Sequence, residues 1–294
     1  MKWVVEKRSK WDAYMREIDT KLISQAVSEM CINSNCLIGS DIKQAFTAAE
    51  KNESSSLGRN VLQTLLENAD IAEDKMIPIC QDTGMVVVFI ELGQEARLVG
   101  GNIEDAVNEG VAKGYTEGYL RASVVADPIR RVNTKNNTPA VIHYRLVPGD
   151  QVRIIVSPKG FGSENMSALK MLKPSQGLDG VKDFIIETVR QAGPNPCPPV
   201  IVGVGIGGTM EKAALMGKES LLRPVGSVNS DPFWAEIEAD LLTRINNLGI
   251  GPAGFGGLTT AMAVHIGVYA THIAGLPVAV NMGCHFTRHN ERVL

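Results

Sequence analysis

Residues Met85 to Leu92 read Met-Val-Val-Val-Phe-Ile-Glu-Leu, a short run that is β-branched and almost wholly apolar. Such a run predicts a central strand covered on both faces. Pro199 to Ile206 predicts a second buried strand, and Leu276 to Val280 a last one. The cover has to come from helices. Leu22, Ile23, Ala26, Val27 and Met30 recur on one helical face, and Val61, Leu62, Leu65, Leu66 and Ala69 on another, with Asp41 to Lys51 a helix between them. Asn102 can cap a helix running towards Tyr119. Asp179 to Gln191 gives another, and a further helix starts at Asp231-Pro232 and ends at Gly249. Val141–Val147 and Gln151–Ser157 flank Pro-Gly-Asp and predict a hairpin. With no repeat, linker or break in composition, residues 1–294 read as a single α/β domain. Its expected plan is a mixed sheet with surrounding helices and a helical N-terminal layer over about residues 1–75.

Composition narrows the function classes. A chain of 294 residues with 44% hydrophobic and 21% charged content can bury a substantial core. Its net charge of −3 makes no electrostatic case for nucleic acid or an anionic membrane. No apolar run approaches the roughly eighteen residues of a membrane helix. The start, Met-Lys-Trp-Val-Val-Glu-Lys-Arg, turns to charge too early for a signal peptide. Five cysteines without disulfide spacing suit a reducing cytoplasm.

Three glycine-rich loops invite a nucleotide reading. Gly203, Gly205 and Gly208 match G-x-G-x-x-G after a strand and before a helix (Thr209 to Leu222). The acidic residue expected about twenty positions on is missing, since Arg223-Pro224-Val225-Gly226 stands there. Close strand–helix packing, or an approach of backbone amides to an anion, explains these glycines better. Lys159 to Asn165 and Gly251 to Gly257 lack the Lys-Ser/Thr ending of a phosphate loop. Several such turns fit a crowded cofactor pocket.

The thiols carry the chemistry. Cys80 opens Cys-Gln-Asp-Thr-Gly, Cys197 lies in Asn-Pro-Cys-Pro-Pro, and Cys284 lies in Asn-Met-Gly-Cys-His. Prolines and glycines place all three on loops of fixed shape, too far apart in sequence for a zinc ribbon. A catalytic cysteine with His272 or His285 as base would leave two of them unexplained. Ligation of an iron–sulfur cluster would use all three, and would leave one iron open as a Lewis acid. Cys31 or Cys36 as a fourth ligand would close the cluster and favour electron transfer. Both sit at the end of a helical pattern, where a packed thiol is the commoner case. His143, alternating in a strand, and His265, on an apolar helix, read as structural. Arg121 either complements a helix C-terminus or offers a planar fork to a carboxylate.

Cys80-Gln81-Asp82-Thr83-Gly84, Tyr119-Leu120-Arg121, Gly162-Ser163-Glu164-Asn165, Asn195-Pro196-Cys197-Pro198-Pro199, Gly205-Ile206-Gly207-Gly208-Thr209 and Thr271-His272-Ile273-Ala274-Gly275 together resemble the iron–sulfur class I fumarate hydratases. The likeness is to their N-terminal half, or α subunit, and runs in order over nearly the whole chain. It implies a [4Fe-4S] cluster on Cys80, Cys197 and Cys284. It also implies that Gln81, Asp82, Arg121, Gly162 and His272 contact a dicarboxylate, with fumarate hydrated reversibly to L-malate. In that family the base and further cationic contacts come from the C-terminal half. The expected partner is therefore a β subunit, with little activity from this chain alone. Gly283 and Phe161 depart from the family pattern near the presumed pocket. L-tartrate dehydratase α subunits share the cysteines and the plan, and a non-catalytic iron–sulfur subunit would need only the thiols.

Overall fold

A computed structural model of the chain describes residues 15–294. In chain order it begins with β1 (Arg16–Asp19), α1 (Thr20–Cys36), α2 (Ser40–Asn52), α3 (Ser56–Lys75), β2 (Met85–Gly93), β3 (Ala96–Val99) and α4 (Ile103–Glu117). β4 (Val141–Val147), β5 (Val152–Lys159), the one-turn α5 (Phe161–Glu164), β6 (Ala168–Leu172) and α6 (Gly177–Ala192) follow. The chain ends with β7 (Val200–Gly207), α7 (Met210–Ser220), α8 (Pro232–Asn246), β8 (Ala261–Tyr269), β9 (Leu276–Gly283) and β10 (Asn290–Val293). The class is mixed α/β, as the periodicities predict.

These elements form two compact units. One comprises the described residues through Asn35 with Cys80–Pro158 and His289–Leu294; the other comprises Cys36–Ile79 and Lys159–Arg288. Neither is a continuous stretch, so no linker or shift in composition marks the division. The helical start of the chain is shared, with α1 in the first unit and α2 and α3 in the second.

The first unit holds a sheet in the order β10-β5-β2-β4, plus the small parallel pair β1-β3. Val86, Val88 and Ile90 of β2 and Val152, Ile154 and Val156 of β5 share one core with Ile23, Val27 and Met30 of α1 and Val107 and Val111 of α4. On the opposite pleat of β2, Phe89 stacks on His143 of β4 at 5.3 Å. That second covered face is why the run lacks alternation. Asn102 caps α4, its Oδ1 accepting from Glu104 N (2.7 Å) and Asp105 N (3.3 Å).

The hairpin expected from residues 141–157 does not form. β2 lies between β4 and β5 and runs parallel to β4 from Val87 opposite Val141 to Gly93 opposite Val147. The end of β2 takes the bonds a hairpin would use. Gly93 N donates to Gln151 O (2.9 Å), Gln94 N to Val147 O (2.8 Å) and Glu95 N to Gly149 O (2.9 Å). A side chain on Gly93 would put its Cβ 2.3 Å from Gly149 O. Pro-Gly-Asp thus fixes a reversal of direction, whereas strand order is decided by which third strand fits between.

The second unit is built on the sheet β6-β9-β7-β8, with β9 antiparallel to β6 and β7, and β8 parallel to β7. Every residue of β7 is buried. Val200, Val202, Val204 and Ile206 pack against Val181, Ile185 and Val189 of α6 and Ile237, Leu241 and Ile245 of α8. Burying each such side chain contributes about 1.5–3 kcal/mol. Ile201, on the other pleat, joins Phe46 of α2 and Leu62 of α3. Gly203 and Gly205 lie under α7, where an added Cβ would sit 2.2 Å from Gly217 O and 2.1 Å from Ala213 O. The dinucleotide-like spacing is therefore close strand–helix packing.

His265 corrects another expectation: it lies on β8, not on a helix. It is 1% exposed, and its Nδ1 meets Ser220 O at 3.2 Å. Burial, followed by the Arg223 charge, lowers its pKa to about 4. The role is structural, as expected. The element was misread because Ala-Met-Ala-Val suits a helix locally, and parallel pairing with β7 overrides that preference.

Candidate functional site

In the first unit, the loop between α3 and β2 carries Cys80, Gln81 and Asp82. Gln81 is exposed and Asp82 half-buried. Asp82 N donates to Cys80 Sγ (3.4 Å), and Asp82 Oδ1 accepts from Gly84 N (2.9 Å). The thiol and the carboxylate are thus folded onto one tight turn. Thr83 faces inward at 1% exposure and bonds the backbone of Arg121 twice. Its Oγ1 accepts from Arg121 N (3.0 Å) and donates to Arg121 O (3.1 Å). The Arg121 side chain itself is exposed. The Cys80-Gln81-Asp82 turn and the Arg121 backbone are therefore joined through Thr83.

In the second unit, Cys197 is exposed and adopts a left-handed backbone, φ 57°, which costs a non-glycine residue about 1–2 kcal/mol. The surroundings hold it there. Cys197 N donates to Pro194 O (3.0 Å), His285 N donates to Cys197 O (3.3 Å), and His285 Nδ1 meets the same carbonyl at 2.7 Å. His285 follows Cys284, so one imidazole ties the two thiol loops together. It rests edge-on against Phe286, with centroids 4.4 Å apart. Desolvation lowers its pKa to about 4, against the Cys197 carbonyl, which raises it. Bound to the carbonyl of Cys197 through Nδ1, His285 acts as a brace for the loop.

The other glycine-rich loops buttress this region. A Cβ on Gly162 would lie 3.6 Å from Asn195 O, so α5 rests on the Cys197 loop. Ala253 N donates to Pro198 O (2.8 Å) from the 251–257 loop. That loop is held in turn by the buried Glu53 carboxylate, which accepts from Leu258 N (2.8 Å) and Thr259 N (3.3 Å). His272 stands on the exposed turn after β8, where its Nδ1 accepts from Ala274 N (3.2 Å). In the neutral ring this leaves the proton on Nε2, a donor suited to a carboxylate oxygen.

Sequence reading missed a charged cluster beside Cys284. Lys159, 8% exposed, bonds Ser163 Oγ (2.8 Å) and pairs with Glu164 Oε2 (3.1 Å). Glu164 Oε1 accepts from Lys218 (2.6 Å), and Oε2 also accepts from Asn281 Nδ2 (3.1 Å). Burial pulls the Lys159 pKa down, opposed by Glu164 and by the Cys284 thiol. Burial raises that of Glu164, but Lys159 and Lys218 outweigh it and hold the carboxyl below its ordinary value. The signal available in sequence was Lys159 and Glu164 flanking a Gly-Phe-Gly-Ser turn, a place where charge has no reason to be unless it is paired.

The donor chemistry sorts the thiols into two kinds. Cys31 and Cys36 are 0% exposed, and burial raises both pKa values, so neither favours the thiolate. Cys80, Cys197 and Cys284 all reach the surface on loops. Among the described residues, no group of three His, Cys, Asp and Glu side chains is gathered to hold a metal ion. Cys80 comes from the first unit, and Cys197 and Cys284 come from the second. No helix among the described residues is long and apolar enough to cross a membrane.

A family model described as fumarate hydratase (Fumerase) matches residues 24–293. A putative L(+)-tartrate dehydratase subunit alpha of Methanocaldococcus jannaschii is 42% identical over 270 residues, covering 89% of this chain and 94% of that protein. The L(+)-tartrate dehydratase subunit alpha of Escherichia coli strain UTI89 is 33% identical over 278 residues, covering 92% of this chain and 91% of its own length.

Proposed function

The chain belongs to the fumarate hydratase (Fumerase) family of hydro-lyases, and from that premise we propose that it is the α subunit of a [4Fe-4S]-dependent fumarate hydratase. One observation carries the cofactor reading: the accessible thiols are Cys80, Cys197 and Cys284, and the other two are sealed in the core. Held by three thiolates, such a cluster supplies one open iron as a Lewis acid for a substrate oxygen.

The chain's own residues bind and orient the substrate. Arg121 offers a bidentate fork to one carboxylate of fumarate or L-malate. His272, with its proton on Nε2, donates to a substrate oxygen. Gln81 supplies an amide, and Asp82, steadied by Gly84 N, accepts from the malate hydroxyl. Gly162 lets the substrate approach the backbone beside the Cys197 loop. Fixing both carboxylates before reaction supplies the orientation that catalysis needs. The base for the C3 proton comes from a β subunit, in keeping with relatives named as alpha subunits. All five cysteines are free, which fits a reducing compartment, the cytoplasm on this reading.

L(+)-tartrate dehydration is the second reading, favoured by the names of these relatives. The two are separated by turnover of fumarate, L-malate and L(+)-tartrate by the complex coexpressed with its β subunit and purified without air. Fumarate and malate turnover at least tenfold above that of tartrate is the expected result. The reverse order transfers the assignment to tartrate, and no turnover of any of the three removes it.

A further inference from the structure

The Thr83 hydroxyl holds both backbone polar groups of one residue far away in the sequence. It lies one residue beyond Asp82 and 38 positions before Arg121, and it is buried at 1% exposure. Ser and Thr hydroxyls often bond backbone groups within their own turn. This one accepts from Arg121 N and donates to Arg121 O, at 3.0 and 3.1 Å. Both backbone polar groups of a single residue are thereby held on one side chain of the Cys80 loop. We propose that Thr83 is a positioning residue, a latch that sets the Arg121 guanidinium against the substrate carboxylate in register with Gln81 and Asp82. This rests on the dicarboxylate reading above.

Neighbouring contacts show that the latch is a discrete part. Tyr115, at the end of α4, donates its hydroxyl to Thr83 O at 2.6 Å, so the Thr83 backbone is anchored independently of its side chain. Asn137 joins the same two segments further along. Its Nδ2 donates to Gly84 O (3.0 Å), and its Oδ1 accepts from Ser123 N (2.8 Å) and Val124 N (3.2 Å). With Tyr115 and Asn137 in place, removing the hydroxyl alone frees Arg121 without dissolving the loop. Arg121 needs such a device because it lies outside any helix or strand. Tyr119, two residues before it, is left-handed at φ 51° and 92% exposed, so Leu120, 7% exposed, is the core contact on that side, and it holds the backbone and not the guanidinium. A clamp misplaced by about 1 Å can lower activity by roughly a hundredfold.

The test compares Thr83→Val, which keeps the shape and removes the hydroxyl, with Thr83→Ser, which keeps it, in the complex with its β subunit. Faster exchange of the Arg121 amide in Thr83→Val, with Thr83→Ser close to wild type, is the expected substrate-free result. Unchanged exchange overturns the latch, whatever the substrate proves to be. In turnover, KM for the dicarboxylate rises roughly 10- to 100-fold in Thr83→Val with little change in kcat, and Thr83→Ser recovers most of it. In an Arg121→Ala background, Thr83→Val adds nothing further to KM. Additive effects, or a fall in kcat at constant KM, reduce Thr83 to a structural residue. A wild-type complex that turns over no dicarboxylate refutes the functional reading, and the exchange result then judges the latch by itself.

Discussion

In the first unit the loop bearing Cys80 is held by uncharged groups, the hydroxyls of Thr83 and Tyr115 and the amide of Asn137. In the second, the loop bearing Gly162 is held by Lys159, Glu164 and Lys218, and the Cys197 loop by prolines and a braced left-handed backbone. The difference lies in what each network can tolerate losing. A neutral network that loses a member leaves unpaired backbone groups, each costing about 1–3 kcal/mol. A charged one that loses its only carboxylate leaves two ammonium groups facing each other in a desolvated site. The first kind gives geometric precision, which an arginine fork needs. The second places a surplus of positive charge beside Cys284, where a thiolate ligand and an anionic substrate are expected.

The sharpest way to break this contrast is Glu164→Gln. It should lower unfolding stability by about 3–4 kcal/mol, because Lys159 and Lys218 lose their counter-charge. Adding Lys218→Met should restore part of that loss in denaturant titrations, since it removes the surplus charge. If the double variant is no better than the single, the cluster is held by packing and the contrast fails. Asn137→Ala is the matching change in the neutral network. It strands Ser123 N and Val124 N, while Gly84 O keeps the Tyr115 hydroxyl at 3.2 Å, and should cost about 2–3 kcal/mol, with no charge substitution able to rescue it.

The smallest effect is a pH dependence that belongs to the second unit alone. His265 has a folded-state pKa of about 4, below its ordinary 6.5, through burial and Arg223, with Glu238 and Asp41 opposing. A depressed value favours folding above pH 6.5, and this contribution is lost as pH falls from 6.5 towards 4. By pH 5 the loss should reach about 2 kcal/mol. Denaturation midpoints at pH 7 and pH 5, for wild type beside His265→Gln, isolate it. Equal pH slopes in the two proteins would show that His265 does not titrate with folding.

Much of this was legible in the sequence, for stated reasons. β2, β7 and β9 announced themselves because both faces are covered, which leaves no alternation to confuse the reading. α4 and α8 were marked by their caps Asn102 and Asp231. The failures share a cause, which is that the deciding contact lies far away in the chain. The turn at Pro148 shows that the chain reverses, but only Gly93 shows that β2 fills the gap. His265 sits in a sequence that suits a helix until β7 pairs with it. The two compact units leave no mark in composition, because each is sewn from separate stretches. At the site, Thr83 and Glu164 stand inside motifs, as Cys80, Gln81 and Asp82 do, but what they and Asn137 and Glu53 hold lies elsewhere in the chain, where no local pattern shows it.

Iron content of the complex purified without air is the most direct test of the central claim, with wild type beside Cys197→Ser and Cys31→Ser. A cluster on Cys80, Cys197 and Cys284 gives about four iron atoms per α chain in wild type and in Cys31→Ser, and their loss in Cys197→Ser. Iron retained in Cys197→Ser, or a wild-type protein without iron, would contradict it.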